Sequence, residues 1–395
     1  MNEFIRLIIG FPLYYFSFLS FRKKNRIIFG AWNGLQFSDN SKYLFQYILK
    51  EKPGYDLIWC GKSFLKLDLP LNKRVKFVKI NSFKAYYFAL TSKYAFVTHG
   101  YEDIVNFNVF GRAKLVQLWH GIGIKNVGEL DQNGNRFIGM LKKKVRCFIR
   151  RYDYFICSSK LNKKRNMKAF ASYGAKKEKM IESGQPRNDF LINQKENLKI
   201  RNEILKRYNI PIDLKIITYL PTFRKNSDKY FSFLNLEGEF KDNLMQFLKG
   251  NKYIILEKSH ISISDSFIQE GCNDRIINLN NFKNVNTQEI LLITDLLITD
   301  YSSCYIDYLL LNRPIIHYVY DYLKYKKEEQ GLYFNLDDIA GGVIIEDINE
   351  LLNTMKEELL NPQKEKERRK KIKTLMLEFE KGNSCKKICK KLEIV

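Results

Sequence analysis

The sequence predicts an α/β fold made of two Rossmann-like domains facing each other across a cleft. Three observations carry this. Short runs rich in β-branched and aromatic residues alternate with amphipathic stretches, the pattern of parallel strands joined by crossover helices. The alternation is interrupted once, over the charged, helical stretch 190–214 that breaks at Pro211, the candidate interdomain linker, and then begins again. A chain of 395 residues is also long enough for two domains of about 100–200 residues each.

The strands of the first half are expected at RIIFGA (26–31), DLIWC (56–60), RVKFVK (74–79), YAFVT (94–98), KLVQLW (114–119), DYFICS (153–158) and KMIESG (179–184). Amphipathic segments such as SKYLFQYILKE (41–51) lie between them, with Ser41 placed to cap that helix. The second half repeats the pattern with KIITYL (215–220), KYIILE (252–257), RIINL (275–279), LLIT (296–299), PIIHYV (314–319) and GVII (342–345). LLITD occurs twice in succession, at 291–295 and 296–300. The first copy follows the helix-start signal Asn286-Thr287-Gln288-Glu289 and is expected to be helical; the second runs into a Ser-Ser turn and is expected to be a strand. The expected boundaries are an N-terminal segment at 1–25, a first domain at 26–207, a second at 208–362 and a basic helical segment at 363–395. That last segment either packs back on the first domain or forms a solvated tail.

Hydrophobic residues make up 45% and charged residues 28%, which excludes a disordered chain. A formal net charge of +24 implies attraction to a polyanion, whether nucleic acid, acidic membrane or phosphate-rich substrate. Seven cysteines without a CxxC pair read as reduced thiols in a reducing compartment. Cys385 and Cys389 fall on one helix face without a histidine to complete a metal set. Residues 4–21, FIRLIIGFPLYYFSFLSF, are almost wholly apolar and are followed by RKKNR. Arg6, Gly10 and Pro12 interrupt them, so an interfacial anchor with a basic flank fits better than a membrane span. RFIGMLKKKVRCFIRR (136–151) has the look of a second basic amphipathic helix suited to an anionic bilayer.

The four histidines are His99, His120, His260 and His317. His120 directly follows a strand in QLWHGIGIK (117–125), where Gly121 and Gly123 allow close backbone approach. Carboxyl ends of strands form the ligand crevice of open parallel sheets, and an imidazole there suits general-base work near neutrality. YLPTFRK (219–225) places Pro221, Thr222 and the phosphate-suited fork of Arg224 after the second domain's first strand. EKSH (257–260) adds Lys258, Ser259 and His260 to the same edge. LLITDYSSCYIDYLLLNRPIIHYV (296–319) reads strand, turn, helix, strand, with Ser302 and Ser303 at an anion-binding turn and Asp307 one helical turn on. A mere helix cap by Asp300 and Ser302 is the alternative there. SGQPRNDFL (183–191) supplies Arg187 near the domain junction. The absence of GxxxxGK[ST], GxGxxG and HExxH argues against a P-loop kinase, a nicotinamide dehydrogenase and a zincin.

WHGIGIK, SGQPRND, YLPTFR, KSH, LLITDYSSCYIDY and RPIIHYVYDYLKY, in this order and at this spacing, resemble the CDP-glycerol:poly(glycerophosphate) glycerophosphotransferase family of teichoic acid and capsule synthesis. FGAWNGLQFSDNSKYLF (29–45) resembles that family's opening, and the likeness covers roughly residues 26–345. The resemblance implies a GT-B fold, peripheral attachment to the inner face of the membrane, and a CDP-glycerol or CDP-ribitol donor. It implies transfer to a lipid-linked saccharide or a polyol-phosphate acceptor, with release of CMP. Donor contacts are implied at Trp119, His120, Gly121, Ile122, Gly123, Arg187, Pro221, Thr222, Lys258, Ser259, His260, Ser302, Ser303 and Asp307. On this assignment His120 is the base, while Arg224, His260, Ser302 and Ser303 hold the pyrophosphate. Where the family often has HGTPLK this chain has HGIGIK, and His260 is followed by Ile261 rather than proline. No dedicated metal site or other cofactor is expected, with Mg²⁺ travelling with the donor left open. A chain without the long N-terminal region of the polymerase members is expected to be primase-like. Two alternatives remain: a GT-B glycosyltransferase using a nucleotide sugar, and a non-catalytic basic protein binding RNA or another polyanion. The aromatics lie mostly in strand-like runs, so no nucleic-acid partner is expected.

Overall fold

A computed structural model describes residues 3–70, 72–130, 152–222, 231–258, 274–282, 284–322, 324–325 and 332–395. They form two compact units, one of residues 1–121, 127–190 and 378–395, the other of 122–126 and 191–377. Each is built on a wholly parallel sheet, the architecture of a GT-B-like fold with two Rossmann-like domains.

The first unit holds β1 (Lys23–Phe29), β2 (Asp56–Gly61), β3 (Val75–Lys79), β4 (Ser92–Val97), β5 (Lys114–Gln117), β6 (Tyr154–Ile156) and β7 (Met180–Ile181), in the order β3-β2-β1-β4-β5-β6-β7. Successive side chains go to opposite faces. Ile28, Ile58, Ala95, Val97 and Leu115 pack on one side, and Ile27, Phe29, Trp59, Tyr94 and Phe96 on the other. Buried on both faces, these strands read as continuous apolar runs rather than alternating ones. The second unit repeats the scheme with β8 (Lys215–Leu220), β9 (Tyr253–Glu257), β10 (Ile276–Asn278), β11 (Leu296–Thr299), β12 (Ile315–Tyr318) and β13 (Val343–Ile345), ordered β10-β9-β8-β11-β12-β13. Every strand expected from the sequence is present. In both sheets the order reverses beside the first strand, between β1 and β4 and between β8 and β11. That reversal opens a crevice at the carboxyl ends of the strands.

The helices carry the differences from expectation. The first of interest, α1 (Asp39–Glu51), begins two residues before Ser41. Ser41 is buried and donates to the Gly30 carbonyl at 2.8 Å instead of capping. The twin LLITD copies divide as expected: α2 (Thr287–Ile293) takes the first, capped by the Asn286 side chain, and β11 takes the second. The candidate linker at 190–214 is helical as expected, in α3 (Pro186–Gln194) and α4 (Leu198–Arg207), and the units divide at its start, between Phe190 and Leu191. Residues 191–207 thus count with the second unit, because Arg201 donates to the Ile293 carbonyl and pairs with Asp295 at 3.1 Å. The basic C-terminal stretch does not act as one segment. Residues up to 377 belong to the second unit and 378–395 to the first. There α5 (Ser384–Leu392) buries Cys385, Ile388, Cys389 and Leu392 against Leu44 and Ile48, so the two cysteines lie on one helix face within the core. The N-terminal residues also count with the first unit, where the Gly111 N–H donates to the Ser17 hydroxyl and Arg22 donates to the Val109 carbonyl.

Gly30, just past β1, shows how tightly this edge is packed. A methyl group there would lie 2.5 Å from the Asp103 carbonyl oxygen. Gly30→Ala is therefore expected to destabilise the first unit by about 2–3 kcal/mol. All three tryptophans, Trp32, Trp59 and Trp119, are in this unit, so a lowered urea midpoint by tryptophan fluorescence is the readout.

Candidate active site

In the first unit the site grows from the loops that leave β1, β4 and β5 at the switch point. Asp103 is wholly buried and joins the first two. Its carboxyl accepts from the N–H groups of Asn33 (2.7 Å), Thr98 (2.8 Å) and His99 (2.9 Å), and from the Thr98 hydroxyl at 3.3 Å. Trp32, Asn33 and Trp119 all adopt positive φ, at 51°, 49° and 55°. Side chains rarely take this conformation at a cost of about 1–3 kcal/mol each, and its concentration here marks a functional place.

These constraints bring two imidazoles together. His99 and His120 stack with centroids 4.3 Å apart and planes 12° from parallel. Trp32 covers His99 at 4.7 Å, and Trp119 stacks on His120 at 4.4 Å. Loss of water around the ring, then the neighbouring His99, push His120 down to about 3. It is neutral at ordinary pH. Its Nδ1 faces the Thr98 carbonyl at 3.4 Å; assigned as the donor there, it leaves the Nε2 lone pair to accept a proton.

Arg187 lies beneath this loop rather than presenting an open fork. It is buried, pairs with Asp39 at 3.0 Å and donates to the His120 carbonyl at 2.9 Å. Asn40 adds donations to the carbonyls of Leu118 and Trp119 at 3.1 and 3.0 Å. Within the same SGQPRND motif, Asp189 accepts the backbone N–H groups of Ser384 and Cys385, capping α5. Gly121 has φ 143°, a conformation that favours glycine; Gly123 does not use that freedom.

The second unit's switch point is organised by Asp300. Both of its carboxyl oxygens accept the Thr222 N–H, at 2.8 and 3.0 Å, so its side chain binds across from β11 to β8. That helix, α6 (Cys304–Tyr308), begins after Ser303, whose side chain makes no capping bond. Ser302 and Ser303 are half-buried at the turn, while Pro221 and Thr222 lie opposite at the end of β8. Asp307 is instead buried and accepts from Gln288 at 3.2 Å. His317 is a core residue: Nδ1 meets the Asp300 carbonyl at 3.2 Å and Nε2 accepts the Gly341 N–H at 3.2 Å. Burial holds it down to about 4. Lys258 donates to the Val285 carbonyl at 3.3 Å, and burial pushes its ammonium down to about 8. Beside it, burial pushes the Glu257 carboxyl up to about 7, where it accepts from Ser232 and the Phe233 N–H. Arg224, Ser259 and His260 lie outside the described residues, as does the basic stretch 136–151.

The pairing of His99 with His120 and the supports from Asp103, Asp39 and Trp32 were not expected from sequence. Asp39 and Trp32 do fall in the FGAWNGLQFSDNSKYLF run. Asp103 follows a strand end but sits in a short turn with no periodic signal.

Two wholly parallel sheets, each gathering polar residues at its switch point, define a GT-B-like protein. The chain belongs to the CDP-glycerol:poly(glycerophosphate) glycerophosphotransferase family, whose model matches residues 13–393. It is 33% identical over 332 residues to a teichoic acid poly(glycerol phosphate) polymerase of Staphylococcus epidermidis, covering 82% of this chain and 44% of that protein's length. It is 30% identical over 394 residues to the enzyme of the same description from Bacillus spizizenii, covering 94% and 92%. The solved structure of the wall teichoic acid polymerase TagF matches with a TM-score of 0.80 at 26% identity, over 94% of this chain and 89% of that one. A histidine-to-asparagine variant of TagF, soaked with CDPG, matches with a TM-score of 0.79.

His120 and His317 should both remain neutral well below pH 6.5. The unfolded chain protonates each near 6.5, but the folded chain protonates His317 only near 4. Stability from His317 is therefore complete above pH 6.5 and declines as pH falls toward 4, by about 1.4 kcal/mol per pH unit. With four histidines in the chain, carbon-13 labelling of histidine resolves each titration, and His317→Gln and His120→Ala assign the signals. Either signal titrating near pH 6.5 in the folded protein would contradict the environments described.

Proposed function

We propose that this protein transfers a polyol phosphate from a CDP-polyol to an acceptor hydroxyl, releasing CMP. Family membership across residues 13–393 carries the reading, and the neutral His120 at a strand end supports it. CDP-glycerol is the first candidate donor and CDP-ribitol the second. The acceptor oxygen attacks the β-phosphorus, forming the new phosphodiester. The bond from that phosphorus to the bridging oxygen breaks, and CMP leaves with the electron pair. His120 Nε2 takes the acceptor proton. Its pKa near 3 belongs to the site without an anion; a diphosphate close by makes the imidazole more basic.

In this reading Ser302 and Ser303, with the N–H groups of their turn, hold the diphosphate, and Arg224 and His260 neutralise its charge on the strength of the family resemblance. Phosphoryl transfer is mostly positioning plus electrostatic stabilisation, which this donor set supplies. The acceptor is a lipid-linked saccharide or a polyol-phosphate chain, with the work done at the inner surface of an anionic membrane. The N-terminal helix Glu3–Phe16, of about 21 Å at 1.5 Å per residue, supports that placement. Phe16, Leu19 and Phe21 are 68%, 82% and 78% exposed, and the exposed Lys23 and Lys24 lie close behind. Aromatics beside basic residues suit an acidic bilayer surface. Among the described residues no helix is long and apolar enough to cross a membrane.

Incubation with CDP-glycerol, CDP-ribitol and UDP-sugars tests the donor class: a CDP-polyol should yield CMP and a phosphodiester product. Nucleotide release only from UDP-sugars would make the protein a glycosyltransferase instead. His120→Ala should lower transfer by roughly 10²–10⁴-fold while donor affinity falls much less. Near-normal turnover at saturating substrates would remove His120 as the base. Replacing Ser302 and Ser303 together with Ala should weaken CDP-polyol binding in calorimetry. Undiminished affinity in the folded double variant would remove the phosphate role.

A further inference from the structure

His120 belongs to the first unit, yet two residues later the chain enters the second, which includes Ile122–Asn126. Gly121, at φ 143°, makes the change of direction. Within the second unit this five-residue strap is firmly held. Ile122 and Ile124 are each 1% exposed. The Tyr333 N–H donates to the Ile124 carbonyl at 2.8 Å, and Lys125 forms an antiparallel bridge with Leu332. The Lys125 ammonium lies over the Tyr325 ring, 5.4 Å from its centroid. Tyr325 is stacked on Tyr301 at 4.0 Å and 19°. Tyr301 is wholly buried, donates to Asp321 at 3.3 Å, and stands between Asp300 and Ser302.

A continuous series of contacts therefore runs from the candidate phosphate turn, through two stacked tyrosines, to Lys125. From there the chain itself leads back five residues to His120. A cation over an aromatic face has a preferred position, so a shift of the Tyr301 turn is passed to the strap. We propose that Lys125 and Tyr325 are positioning residues that couple occupancy of the Ser302–Ser303 turn to the placement of His120. The proposal rests on the phosphotransferase reading above. Neither side chain touches the reacting atoms in this scheme. The strap is also where this chain departs from the family's usual HGTPLK, yet Lys125 is retained at the motif's end.

The experiment uses the full chain with CDP-glycerol and an acceptor. Lys125→Met and Tyr325→Leu remove the contact, while Lys125→Arg and Tyr325→Phe keep a cation and a ring. Donor affinity by calorimetry should stay near the wild-type value in all four. Turnover at saturating donor should fall by roughly 3- to 30-fold in the first pair and recover in the conservative pair. In histidine-labelled protein, CDP-glycerol should move the His120 signal of the wild type and leave it unmoved in folded Lys125→Met with donor bound. Unchanged turnover in folded Lys125→Met and Tyr325→Leu would overturn the proposal. Lost affinity with intact turnover would overturn it too, by making Lys125 a donor contact. A wild-type protein that does not bind CDP-glycerol would instead reject the donor reading on which the proposal stands. Failure of that reading thus shows in the wild type, and failure of the coupling only in the variants.

Discussion

The first site depends on a single buried carboxyl group. Asp103 gathers three backbone N–H groups and a hydroxyl from the loops after β1 and β4, at the place where the sheet order reverses. A buried carboxyl is tolerated only when its oxygens are well supplied with donors, so these loops have little freedom to move independently. Trp32 and His99 are placed by that constraint, and His120 stacks on His99 and meets Trp32 at a tilt of 51°. The second sheet uses the same device: Asp300 ties the loop after β11 to Thr222 after β8, and His317 holds the Asp300 carbonyl from the core side. Each Rossmann-like unit thus pins its crevice with one aspartate.

The cost of this arrangement is visible in the backbone. Trp32, Asn33 and Trp119 hold left-handed conformations that a stable loop would ordinarily give to glycine. Their rings and amides are what flank the imidazoles, so the strain is retained where it shapes the site. Close stacking of His99 on His120 has an electrostatic consequence as well. Loss of water around the His120 ring, with His99 stacked on it, disfavours charge there, so His120 rests neutral.

The strands were legible because both sheets are wholly parallel and covered, which turns each strand into a compact apolar run such as DLIWC or KIITYL. Helix limits and domain edges were less so. Ser41 looks like a cap in the sequence, but the Gly30 carbonyl captures its hydroxyl inside the core. The edge at Phe190 and Leu191 is set by ion pairs and packing of residues distant in sequence, and a charge-rich stretch alone does not reveal which unit it joins. Likewise His120 announces itself after a strand beside a flexible glycine, and Ser302 and Ser303 announce a turn. Their supports do not: Arg187 meets Asp39 across 148 positions of chain, and Asp103 acts through backbone amides that carry no residue signature. Asp307 shows how little helical spacing says of surroundings. Helical spacing puts it near Ser303, yet it is buried and serves Gln288.

The most direct measurement is a crystal structure of the His120→Ala protein with CDP-glycerol bound. The diphosphate is expected against the turn of Ser302 and Ser303 in the second unit. A diphosphate seated instead on His99 and Trp32 of the first unit, with the Ser302–Ser303 turn empty, would contradict that expectation.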